Sequence, residues 1–547
     1  MLEARRNATI QPPLSQAVGF MTANRTVRTG LTASAVISSW LWTTAMLGSS
    51  FVGYDYGVAG PFWFAAGCSP MIVFFALLGI SCKRKIPEAH TSLEVVRIRY
   101  GRVAHAVFMV LCLINNIFAC ANMLLGAAAV ISSLRHQSNV GTTTEMPGEV
   151  VANVLTRFLT DYFHTTIILI IACYFSIKAF TFEGIGSIGN LYDLLNVAGQ
   201  NHPVSGNKDG TYLTMTSKGG ILFGILHICS NFGLVIMDTS YFIKAFSAAP
   251  SSVVPGYTIG GIAYFSIPWG LGTIMSSVAL GLENQPAFPT YPRRMTSTEV
   301  SNGLVLPYAA ITIAGKGGAA AILLITFMAV TSTLSAQVIA VSSILSFDVY
   351  REYFKKSASD RDIIRASHFG TWVGLCICWS KAAAILSPIL GMATGIGVWL
   401  GTAQHFYGSV SVSTTGQILP CVYGTVGSAL SPILYSVVIT AIRPQNYNWD
   451  DFRKEKLALE RLQSDLTTVQ SRNPEDGRDG SQLEHGRPSF DPRELKRWGR
   501  IAAFWSVATF LGHWVLWPLP MYGSNYVFGK RVCFAGRSSI EIPANPS

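Results

Sequence analysis

Apolar residues in this chain run on in long stretches, interrupted mainly by glycine, serine and threonine. The windows lie around 33-52, 61-81, 103-133, 163-182, 217-245, 257-282, 318-345, 382-407, 420-442 and 501-520. A hydrocarbon core about 30 Å thick needs roughly 20 apolar residues for each helical crossing. Every window approaches or exceeds that length, so the pattern predicts ten crossings and an all-α integral membrane protein. The polar remainder divides the chain into a cytoplasmic arm over 1-32, a transmembrane domain over 33-442, a cytoplasmic linker over 443-500, a C-terminal helix over 501-520 and a tail over 521-547.

Composition strengthens this picture. Half of the 547 residues are hydrophobic and only 13% are charged, which sets aside a soluble multidomain enzyme. The formal charge of +11 raises the question of a polyanionic partner. Of the 40 Lys and Arg, 27 sit in four segments between the windows: 1-32, 83-102, 351-365 and 443-500. Basic residues concentrated beside helix ends mark the cytoplasmic side, so the surplus reports orientation and not nucleic acid. Eight of the ten cysteines fall inside or beside apolar stretches and read as small buried hydrophobes, the Cys376/Cys378 pair included. Residues 1-30 are polar and carry Pro12 and Pro13, so no cleavable signal peptide is expected.

The linker 443-500 sets eleven acidic residues against twelve basic ones, and its Asp450–Leu466 part has the pattern of a short amphipathic helix. Segment 183-218 is poor in positive charge and rich in glycine, as suits an outside loop. Loops on one side of a membrane must be separated by an even number of crossings. Between the basic loops 83-102 and 349-366 only five windows occur, and the irregular place is 134-160, whose apolar run from Val150 to Leu159 is too short to cross. The stub Phe369–Trp379 is about half a crossing long.

Polar groups at bilayer depth are costly unless they are paired or line a wet cavity, which makes them candidates for a solute or ion path. Ser38, Ser39, Thr43, Thr44, Gly48, Ser49, Ser50 and Gly53 interrupt the first window. Such residues either let a helix unwind and offer carbonyls to a cation, or let helices pack closely. In window 217-245, Asp238 is either a solute- or proton-coupling carboxylate or a charge paired near a helix end, and His227 reads first as an interhelical hydrogen bonder. Ser332 and Thr333, with the Ala329 carbonyl one turn earlier, form an oxygen-rich cluster of the kind that holds a hard cation weakly. Asn115, Asn116 and Asn122 offer amides that suit a small neutral solute or join helices. Neither H-E-x-x-H, G-x-S-x-G nor G-x-x-x-x-G-K occurs, so an enzyme is the least favoured reading.

Five ordered stretches carry a family resemblance: LTASAVISSWLWTTAMLGSSFVGYDYGVAGPFWFAAG, KRKIPEAHTSLEVVRIRYG, FLTDYFHTTIILI, Asn231 to Pro250, and MAVTSTLSAQVIAVSSILSFDVYREY. They closely resemble the urea active transporters of fungi and plants, within the sodium:solute symporter family, and the likeness covers most of 20-525. The resemblance implies two inverted repeats of five helices each, with a solute site at the midplane beside broken helices. It implies a cation site from backbone oxygens of Ser38, Leu41 and Ala329 with the hydroxyls of Ser332 and Thr333. Trp40, Trp42, Asn231, Asp238 and Tyr241 are the candidate solute contacts, because a planar molecule wants an aromatic face with amide or carboxylate acceptors around it.

Four departures make the fold expected here an incomplete version of the pattern. They are a polar arm where the family has an extra N-terminal helix, a crossing lacking in 134-160, RASHFGTWV running directly into GLCICWSKA, and a polar tail after 528. The function implied is uptake of urea, with polyamines as a second solute class, across the plasma membrane, coupled to protons or sodium and needing no cofactor. A non-transporting solute sensor or regulatory isoform, and a truncated nonfunctional product, are the alternatives.

Overall fold

The computed structural model describes residues 27–85, 91–137, 154–344, 381–442 and 492–530, and among them the regular structure is helical. The order is α1 (Thr29–Trp40), α2 (Thr43–Tyr56), α3 (Ala59–Lys85), α4 (Ser92–Gln137), α5 (Val154–Thr181), α6 (Ile188–Asn201), α7 (Lys218–Met237), α8 (Thr239–Ser247) and α9 (Pro250–Leu282). Then follow α10 (Ser297–Ser301), α11 (Val305–Ser343), α12 (Lys381–Tyr407), α13 (Ile418–Ile442), α14 (Pro492–Leu511) and α15 (Pro518–Gly523). Six helices among the described residues are long and apolar enough to cross a bilayer, and α1 with α2, bent by 56°, makes a seventh, broken span. Windows 103-133, 382-407 and 420-442 are occupied by α4, α12 and α13.

The first window breaks at Leu41 and Trp42, as its small and hydroxyl residues allow. Leu41 (φ −78°, ψ 61°) and Trp42 (φ −66°, ψ 151°) leave helical geometry. Carbonyls freed at bilayer depth need donors. The Ser39 carbonyl receives them from the Trp42 indole at 2.6 Å and the Tyr241 hydroxyl at 3.2 Å.

The window 217-245 is not one helix, and this corrects the single span expected there. It breaks at Asp238, whose carboxylate accepts from the Ser240 N–H at 2.8 Å and so caps the N-terminus of α8. Two further windows begin early: α5 starts at Val154, and α14 starts at Pro492, inside the stretch read as linker.

Contacts fix which ends share a face. Lys83 at the end of α3 donates to the carbonyls of Phe246 (3.0 Å) and Ala248 (2.7 Å) after α8, and Val27 pairs with the same turn. Val27 and Lys83 therefore lie at one face, the face that the basic residues beside them were expected to mark as cytoplasmic. At the other face, Val58 N–H donates to the Tyr212 carbonyl at 2.9 Å, and Phe528 N–H to the Leu213 carbonyl at 2.8 Å. The segment read as an outside loop lies there and contains the amphipathic helix α6.

The parity mismatch bears on the directions of α4 and α5. Starting at the basic face, α4 is level with the α7–α8 break at Cys112, whose thiol donates to the Met237 carbonyl at 2.5 Å. Near its start α5 meets α1, through Ser34 donating to the Asp161 carbonyl at 3.2 Å, and the chain after it reaches Gln285 beside Gly184. α4 and α5 therefore run in the same direction, away from the Lys83 face. Residues 138–153 lie outside the described ones, as do 349–366, the stub 369–379, most of the linker 443–500, and the tail after 530.

α3 and α9 form the buried centre, with Trp63, Phe75, Tyr257 and Tyr264 among its fully enclosed side chains. By contrast, α5 and α14 turn large apolar residues outward, such as Phe163, Ile170, Ile177 and Phe504. That is the arrangement of helices whose outer face is lipid.

Candidate transport site

Beside the break of α1, three buried hydroxyls and a carboxylate come together in the membrane domain. On α11, Thr333 donates its hydroxyl to the Ala329 carbonyl at 2.9 Å and stands 3.5 Å from the Ser38 carbonyl on α1. The hydroxyls of Ser38 and Ser332 are hydrogen-bonded to each other. Ser332 also donates to Asp161 Oδ1 on α5 at 2.6 Å, with Ser38 at 3.4 Å from the same oxygen. Each of these residues is no more than 2% exposed. The donor set is all hard oxygen with one carboxylate, which suits a hard monovalent cation or a proton.

The break supplies the backbone part. Ala45 N–H goes to the Trp42 carbonyl at 2.9 Å, so the Leu41 carbonyl loses the donor a continuous helix would have given it. Of the five positions expected around a cation, Ser38, Ala329, Ser332 and Thr333 are thus brought together, and Leu41 lies in the unwound turn beside them. Asp161 is the residue that sequence reasoning passed over. It stands in the stretch FLTDYFHTT, two residues before the apolar window begins, and a carboxylate at a window's edge was the signal available.

The candidate solute contacts distribute unevenly. Trp40 and Tyr241 meet, with ring centroids 5.4 Å apart, and Tyr264 closes on Trp40 edge-on at 6.1 Å. Tyr241 spans the two broken helices through its bond to the Ser39 carbonyl, and Lys244, one turn on, donates to the Ala35 carbonyl at 3.2 Å. Asp238 faces α11 instead: beyond capping α8 it accepts from Gln337 Nε2 at 2.5 Å. Asn231 points to α3, where its amide donates to Cys68 at 3.3 Å beside His227. Trp42 folds back onto its own break. So Trp40 and Tyr241 pack against each other, while Asn231, Asp238 and Trp42 are held by other partners.

A second polar cluster lies at the end of α2. Tyr54, in the last turn of α2, donates to Glu283 Oε2 at 2.5 Å, and Arg294 pairs with Glu283 Oε1 at 2.8 Å while its other nitrogen donates to Tyr54 at 3.1 Å. The Glu283 side chain is fully enclosed and Arg294 is 30% exposed. Desolvation works against the charged guanidinium of Arg294, yet the adjacent Glu283 holds it above its ordinary value.

Two broken helices facing a hydroxyl-bearing helix in a lipid-facing bundle define an inverted-repeat secondary transporter, not an enzyme. The likeness to a Na+-coupled sialic acid symporter, solved substrate-bound and outward-open, shows the same fold: TM-score 0.52, 15% identity, 77% of this chain and 92% of that one. A model of the sodium:solute symporter family matches residues 20–404, and this chain belongs to that family. It is similar to the probable urea active transporter 1 of Schizosaccharomyces pombe, 40% identical over 94% of this chain and 81% of that one. It is also similar to the urea active transporter of Saccharomyces cerevisiae (35%, 95% and 83%) and to the urea-proton symporter DUR3 of Oryza sativa subsp. japonica (33%, 91% and 76%).

Proposed function

We propose that this chain carries urea inward across the plasma membrane, driven by a proton or sodium gradient. The observation that carries this reading is the meeting of Ser38, Ser332, Thr333 and Asp161 where α1 breaks. Names of the similar proteins supply the solute; the site supplies a reason for coupling. A cation seated there bridges α1, α5 and α11, so binding favours the conformation in which those helices are gathered. By linkage, a solute that favours the same conformation raises the cation's affinity, and the cation raises the solute's.

Asp161 makes the site chemically open to either ion. As a carboxylate it offers a charge to sodium, and it can bond a proton in the same place. Trp40 and Tyr241 offer a planar, neutral solute an aromatic face, with Asn231, Asp238 and Trp42 as polar groups that would have to exchange their present partners for it. Polyamines have less support, because Asp238, the carboxylate at the second break, is already engaged by Gln337 and the α8 N-terminus.

The test is uptake of labelled urea by cells lacking their own urea transporters. Accumulation that collapses when the proton and sodium gradients are dissipated is expected, while uptake indifferent to both contradicts coupling. Solute binding without accumulation would favour a sensor, and failure to reach the cell surface would favour a nonfunctional product.

A further inference from the structure

α14 opens with PRELKRWGR and continues with IAAFWSVATFL, so its polar and apolar parts meet at one membrane boundary. Arg497, Arg500, Ile501, Phe504 and Trp505 recur at the spacing of one helical face and line an open groove of about 430 Å³. Arg497 and Arg500 are exposed, and among the described residues no carboxylate pairs with either. Glu494, the acid of the first turn, instead accepts from the Trp498 indole at 3.2 Å. A third guanidinium comes from the neighbouring helix. Arg84, exposed at the end of α3, would stand 4.0 Å from a Cβ at Gly499. α3 ends there beside the Lys83 contacts, the face that its basic residues assign to the cytoplasm.

We propose that this groove binds the phosphate headgroup of an anionic phospholipid of the cytoplasmic leaflet. Guanidinium forks match phosphate oxygens in pairs, and two unpaired forks on adjacent turns offer four donors to one phosphate. One turn deeper, Phe504 (65% exposed) and Trp505 (38% exposed) present an apolar floor directly below the charges. A free phosphate ion has no use for that floor, whereas acyl chains extending from a bound headgroup run over it. The cytoplasmic leaflet carries the anionic lipids that this charge selects. A lipid held there would tie α14 to α3 and hence to the buried centre of the bundle.

The test uses the purified full chain in nanodiscs of phosphatidylcholine, with and without about one-fifth phosphatidylserine or phosphatidylinositol. Retained lipid is read by native mass spectrometry and stability by thermal melting. The anionic lipid should remain bound in preference to phosphatidylcholine and raise the melting temperature. R497Q/R500Q should lose about tenfold or more of the bound anionic lipid and the associated shift, while melting as wild type does in pure phosphatidylcholine. R497Q and R500Q alone, each expected to lose part of the binding, are read the same way if the double variant does not fold. Equal retention of both lipid classes, undiminished anionic lipid in the variants, or a full shift from inorganic phosphate alone would overturn the proposal.

Discussion

The Ser332 hydroxyl on α11 donates to Asp161 Oδ1 on α5 at 2.6 Å, and this bond joins the two helices that flank the unwound turn of α1. Ser38 reaches both partners, so one small set of oxygens ties three helices together. An ion replacing that set of hydrogen bonds changes how the three helices are held, which is the physical basis offered for coupling.

Tyr241→Phe keeps the ring against Trp40 but removes the hydroxyl that reaches the Ser39 carbonyl. A neutral hydrogen bond contributes about 1 kcal/mol, so the apparent affinity for urea should fall about fivefold. Initial-rate uptake over a range of urea concentrations should show this in KM, with kcat changed less.

Asp238 is expected to discriminate between two substitutions. Asn caps helices nearly as well as Asp and still offers Gln337 an acceptor, so Asp238→Asn should cost about 1 kcal/mol. Asp238→Ala removes the cap and leaves the Gln337 amide buried without its acceptor, costing about 2–4 kcal/mol. Thermal melting of the purified protein should rank wild type, Asn and Ala in that order, and equal melting of Asn and Ala would count against the cap.

In the cluster at the end of α2, Glu283→Ala removes the partner of a half-buried guanidinium. Breaking a fully buried pair from one side costs about 3–5 kcal/mol, and the partial exposure of Arg294 sets the expected cost at or below the lower end of that range. A drop in melting temperature is expected. Double replacement at Glu283 and Arg294 by apolar residues should recover part of it.

Glu299, in α10, is bonded by both nitrogens of the Arg293 fork and by the Thr296 N–H. The Arg293 hydrogen bonds hold its carboxyl down at about 2 from an ordinary 4.5. A carboxyl lowered on folding contributes stability that is complete above about 4.5 and is lost as pH falls toward about 2. Acid stimulation of uptake between pH 5 and 7 therefore cannot arise from Glu299. Glu299→Gln should leave the pH dependence of uptake in that range unchanged, as rates measured in buffered cells will show.

Much of this arrangement was legible in the residues. The break of α1 was one of the two readings, unwinding or close packing, that serines, threonines and glycines crowding an apolar helix allowed. Parity flagged an irregularity between 134 and 160, and most of that stretch lies outside the described residues. The break at Asp238 was missed because hydropathy averages over a window and dilutes Asp238, Thr239, Ser240 and Lys244 among their apolar neighbours. Yet Asp-Thr-Ser is a helix-starting sequence, and reading it for capping would have found α8. Asp161 escaped for the related reason that a charged residue sets a window's edge. Only the fold shows that this edge meets Ser332, 171 positions along the chain. Asn231 and Asp238 had the right chemistry for a solute wall, but their partners, Cys68 and Gln337, come from other helices and cannot be read locally.

The most direct measurement is the cation dependence of labelled-urea uptake in proteoliposomes holding wild type, Asp161→Asn or Ser332→Ala. Hydrogen bonds to a charged group contribute about 1.5–3 kcal/mol, so each variant should need a cation concentration about tenfold or more above wild type for half-maximal uptake. Unchanged cation dependence in both variants would contradict the account, since it would place the coupling ion elsewhere.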